Sequence, residues 1–61
     1  AGIDSNYFYG DYWLEEGDYR KAKVYFDKAM QAAPRADRPL ADEGRRREIL
    51  AKLEIVAKKL H

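Results

Sequence analysis

From Tyr7 to Leu14, six of eight positions are apolar or aromatic. At 100° per residue they cover most of a helix's circumference, interrupted by Gly10 and Asp11. A helix apolar nearly all round requires cover on more than one side. The preceding AGIDSN reads as its lead-in, with Asp4 or Ser5 as cap. Gly17 suits the left-handed residue that follows a last helical turn, and Asp18 suits the N-cap of a second helix, about Tyr19 to Ala33. In that helix Ala22, Tyr25, Phe26, Ala29, Met30 and Ala33 recur at three-to-four spacing, opposite Arg20, Lys21, Lys23, Asp27 and Lys28. Met30 reads as a gap-filler in the core. Pro34 ends the helix by removing a donor and restricting Ala33. After the loop RADRP, where Asp37 can cap and Pro39 can occupy a first turn, a third helix is predicted from about Leu40 to Leu60. Its apolar face is Ile49, Leu50, Leu53, Val56, Ala57 and Leu60, its weak point is Gly44, and Glu48–Lys52 and Glu54–Lys58 are spaced for pairing along the helix. The pattern predicts an all-α chain of three helices.

The small residues sharpen this picture. A glycine inside a helix costs about 1 kcal/mol relative to alanine, so Gly10 implies the close approach of another helix. Ala22 and Ala29 offer a shallow surface for it. Gly10, Ala22, Phe26, Ala29 and Pro34 stand at the offsets of the pattern W-x2-L-G-x2-Y, A-x3-F, P, with Trp13 in place of its tyrosine, Tyr9 of its leucine and Asn6 of its tryptophan. In this the stretch Ile3 to Ala36 resembles one tetratricopeptide repeat. The resemblance implies a helix-turn-helix hairpin over residues 1–36 and a C-terminal capping helix over residues 37–61, together one structural unit. Arrays of such repeats need a polar-backed terminal cap, because each repeat leaves an apolar face for its neighbour. The chain is thus expected to be the last repeat and cap of a longer array, and one repeat alone is expected to self-associate.

The resemblance also implies a binding surface on the first helix, at Asp4, Tyr7, Phe8, Asp11, Leu14 and Glu15. The lysine, asparagine and arginine with which some members grip a terminal carboxylate are not at these positions, so a basic or apolar protein segment is the expected guest. Serine at Tyr7 or Phe8 is accordingly expected to weaken association more than folding. All eight aromatic residues lie between Tyr7 and Phe26. Tyr9, Trp13 and Phe26 are read as core, whereas Tyr7, Phe8 and Tyr12 divide between core and partner.

Charge changes the picture only in its layout. Residues 1–19 hold Asp4, Asp11, Glu15, Glu16 and Asp18 and no basic residue, giving −5, while residues 20–61 hold all twelve basic residues against six acidic ones, giving +6. An acidic front and a basic back can steer a partner or a second copy. The consecutive Arg45, Arg46 and Arg47 point 100° apart on a helix and form no single patch, with Arg46 turned towards the apolar side. Binding of nucleic acid or another polyanion is the alternative reading.

In sixty-one residues a single core rarely supplies more than about 3–5 kcal/mol, and with no cysteine there is no disulfide to add to it. An alanine at position 1 is expected of a processed or excised chain. No catalytic residue, metal ligand or cofactor is assigned. The one histidine is the terminal His61 and the one serine is Ser5, so acyl transfer of the Ser-His type has no base. Asp11 and Glu15 share a helix face as solvated charge, and no apolar run reaches the length of a membrane span.

Overall fold

A computed structural model describes residues 2–61, so the expectation attached to Ala1 lies outside the described residues. The architecture is all-α: α1 (Ile3–Glu15), α2 (Tyr19–Gln31) and α3 (Pro39–Leu60), with α1 and α2 forming a hairpin and α3 packed on it. Gly17 takes φ +82°. Its N–H donates to Leu14 O at 3.1 Å and that of Asp18 to Trp13 O at 2.9 Å, the pair of bonds that closes a helix around a left-handed residue. The carboxylate of Asp18 then accepts from Lys21 N–H at 3.1 Å as the cap of α2. One short turn thus satisfies both helix ends.

The other ends differ from expectation. Neither Asp4 nor Ser5 caps α1; the cap is Gly2, with no side-chain hydrogen bond. Asp4 lies inside the first turn, where a carboxylate favours the positive end of the helix dipole. α2 stops at Gln31, two residues early, and Ala32 is extended. α3 begins one residue early with Pro39 as its first helical residue after Arg38, so Asp37 caps nothing. Gly44 does not interrupt it.

Ile3, Tyr7, Ala22, Phe26, Ala29, Ile49 and Val56 form the core, with Trp13, Leu14, Tyr19, Met30, Ala32 and Leu53 packed around it. Gly10 permits the close approach predicted for it, and the atoms that a side chain there would meet first are those of the Phe26 ring. A Cβ at position 10 would lie 2.6 Å from Phe26 Cδ1. On α3 the stripe turned to the core is the buried Ile49 and Val56 with the partly buried Leu53. Leu50, Ala57 and Leu60, expected on that stripe, are exposed. At 100° per residue Leu50 already points a quarter turn away from Ile49, beyond the reach of the hairpin.

The arginines of α3 separate as their geometry demands. Arg45 reaches α1, Arg47 pairs with Glu43 at 2.6 Å, and Arg46 donates to Met30 O at 2.7 Å and Ala32 O at 3.0 Å. Arg46 thereby satisfies carbonyls that the end of α2 leaves open. Glu48 meets Arg45 at 3.2 Å and Lys52 meets Asp11 at 3.0 Å, in place of the Glu48–Lys52 pair along the helix.

Candidate functional site

Two sides of α1 meet two environments. Its Asp4, Tyr7 and Asp11 side receives α3: Arg45 pairs with Asp4 at 3.0 Å and lies 4.4 Å from the centre of the Tyr7 ring, and Lys52 pairs with Asp11. Tyr7 is buried, with its ring centre 5.9 Å from that of Phe26. Its hydroxyl lies 3.5 Å from the Glu48 carboxylate, a long hydrogen bond at best.

The other side, with the outer face of α2, forms a groove of about 660 Å³ lined by Ser5, Phe8, Tyr9, Tyr12, Trp13 and Tyr25. Phe8, Tyr9 and Tyr12 are each more than half exposed. Tyr9 and Tyr25 meet across the hairpin with ring centres 5.4 Å apart, and Tyr12 packs edge-on against Trp13 at 5.0 Å. Amines stand along the α2 side: Lys21 Nζ is 4.3 Å from the Trp13 ring centre and Lys28 Nζ is 5.3 Å from that of Tyr25. At the α3 edge the Arg45 guanidinium is 5.1 Å from the Phe8 ring centre. Among the described residues no carboxylate lines the groove.

Of the six residues assigned to a binding surface, then, Asp4, Tyr7 and Asp11 face α3, Leu14 packs against the core, Glu15 is exposed, and Phe8 alone lines the groove. Tyr9, read as core, is exposed. Tyr7, left between core and partner by the sequence, is buried, because α3 settles on its side of α1. Tyr9, Tyr12 and Trp13 recur at three-to-four spacing, the one pattern that could have marked this face in advance.

A second cluster fastens the α2–α3 loop. Asp42, buried in the first turns of α3, accepts from Arg35 N–H at 2.7 Å and from Arg35 Nε at 2.7 Å, while Arg35 Nη1 reaches Asp4 at 3.2 Å. The side-chain and backbone bonds from Arg35 hold the Asp42 carboxyl below its ordinary value of 3.8, and the bond from Arg45 does the same for Asp4. A carboxyl depressed in the folded state contributes stability above its unfolded value and loses it as pH falls through the folded one. Thermal stability is therefore expected to hold from neutrality to about pH 5 and to decline below about pH 4. Asp42→Asn should melt lower than the parent at pH 7, with the gap narrowing as pH falls below about 4. Parallel melting curves for the two chains down to pH 2 would assign the acid loss elsewhere.

Among the described residues no group of three or more His, Cys, Asp or Glu is placed to hold a metal ion, and no helix is long and apolar enough to cross a membrane. Comparison with protein-family models, with curated proteins and with solved structures finds no match to this chain.

Proposed function

We propose that the chain is a non-catalytic protein-interaction module, a tetratricopeptide-type hairpin closed by α3 as its cap, and that it docks a protein through the aromatic groove of α1 and α2. The observation that carries this reading is the groove itself. Three rings more than half exposed, continuous with Trp13 and Tyr25, put the large aromatic side chains that dominate interface energetics on one open face. The tetratricopeptide part is supported by Gly10 on Phe26, by the fully buried Ala22 and Ala29, and by the turn at Gly17. Polyanion binding draws less support, since Arg35, Arg45, Arg46, Arg47 and Lys52 are engaged within the chain.

The burial of Tyr7 alters what serine substitutions should do. Tyr7→Ser is expected to cost about 3 kcal/mol of folding stability, because it empties a buried aromatic site. Phe8→Ser and Tyr12→Ser, on exposed positions, should each change stability by no more than about 0.5 kcal/mol while weakening association. Melting by circular dichroism, with sedimentation equilibrium on the same samples, separates the two effects. A chain that stays monomeric up to roughly millimolar concentration, and whose groove responds to no peptide, would overturn the proposed function.

A further inference from the structure

The groove has a charge pattern that its aromatic floor does not require. Lys21 and Lys28 are seven residues apart on α2, which places them about 10 Å apart along the helix axis, on one side of it. Each amine lies over a ring of the floor, and among the described residues no carboxylate lines that floor. Lys21 has only a loose contact with Asp18 at 3.9 Å, across side chains that are both exposed. Of the carboxylates that suggested a basic guest, Asp4 and Asp11 are paired with Arg35, Arg45 and Lys52 away from the groove, while Glu15 is exposed in the last turn of α1 and does not line the groove.

Resting on the reading of this groove as a protein-docking face, we propose that its occupant is an acidic amphipathic helix from a partner protein, with carboxylates two turns apart flanking bulky apolar residues. The apolar residues lie on Phe8, Tyr9, Tyr12 and Trp13, and the two carboxylates meet Lys21 and Lys28. Helix-in-groove docking of this kind anchors through residues at i, i+3, i+4 and i+7, and the amines set polarity and register. The guest is opposite in charge to the basic segment that the carboxylates of α1 suggested. Pairing of Asp4 and Asp11 with Arg35, Arg45 and Lys52 leaves Glu15 alone to favour the basic guest.

Trp13 is the chain's single tryptophan and lines the groove, so its emission reports occupancy directly. The probe is a synthetic amphipathic peptide of about fifteen residues with glutamate at positions i and i+7 and leucine or phenylalanine at i+3 and i+4, titrated into the 61-residue chain at low salt. Its counterpart has lysine in place of both glutamates. The acidic peptide should shift Trp13 emission to the blue with saturation, and the lysine peptide should bind roughly tenfold more weakly. That ratio should shrink at high salt, and the double variant K21E/K28E, its folding checked by circular dichroism, should reverse it. Equal binding of the two peptides, or a preference for the basic one, overturns the acidic occupant and leaves the docking face standing. A blue shift that grows with protein concentration without peptide, matched by a dimer in sedimentation, assigns the groove to a second copy and overturns the proposal. Silence of both peptides with a monomeric chain overturns the docking face as well.

Discussion

Gly10→Leu is expected to leave the chain unfolded at 25 °C, and even Gly10→Ala should melt below the parent. A helical Gly→Ala change ordinarily gains about 0.5–1 kcal/mol, from backbone entropy alone. At position 10 the new Cβ would meet Phe26 Cδ1 at 2.6 Å, Cε1 at 2.7 Å and Cγ at 3.0 Å. The Phe26 ring is fully buried, with the Tyr7 ring against it, and cannot swing into solvent to give way. Overpacking of this kind costs about 1–3 kcal/mol, enough to reverse the entropic gain for alanine. The larger leucine exhausts a core worth about 3–5 kcal/mol. Gly44 supplies the control, because a Cβ there meets nothing within 4 Å. Gly44→Ala should therefore raise the melting temperature, by about 4–8 °C per kcal/mol gained in a domain of this size. Melts of the three variants should give opposite signs at the two glycines. Gly10→Ala melting at or above the parent would remove the close-packing argument.

The contrast between the two glycines bears on how much of the fold was legible. Gly10, Gly17 and Asp18 could be placed from sequence because each answers a local rule: a helix interior, a left-handed turn, a cap. The buried stripe of α2 was legible for a related reason, since its polar face is nearly unbroken from Arg20 to Lys28. α1 has no such face. Its aromatic residues fill most of the circumference, so the sequence states that two sides are covered or sticky without stating which is which. That choice is made by Arg45 and Lys52, more than thirty residues away, which draw α3 onto Asp4 and Asp11. The Arg35–Asp42 clip was invisible for another reason. Seven residues apart across a loop, the pair obeys no helical or strand spacing, and only the turn after Pro34 brings them together.

A chain that ends at Arg38 is expected to lose its helical structure entirely. It would keep the residues of α1 and α2, but helices of this length are marginal alone in water and would depend wholly on each other. α3 contributes the fully buried Ile49 and Val56, each worth about 1.5–3 kcal/mol. It also contributes the Arg46 guanidinium on Met30 O and Ala32 O, and hydrogen bonds to a charged group are worth about 1.5–3 kcal/mol. Together these match or exceed the whole stability of so small a core. The far-ultraviolet spectrum of residues 1–38 should be that of a disordered chain, and addition of a peptide spanning residues 39–61 should restore helix in proportion to complex formed. A helical, cooperatively melting 1–38 fragment would mean that the hairpin sustains itself and that α3 is not its cap. The same fragment bears on function, because α3 shields the buried Tyr7 side of α1 while the aromatic groove stays open on the other. If α3 acts as the cap, adding it in trans should restore to Trp13 both its packed environment and its response to an acidic helix.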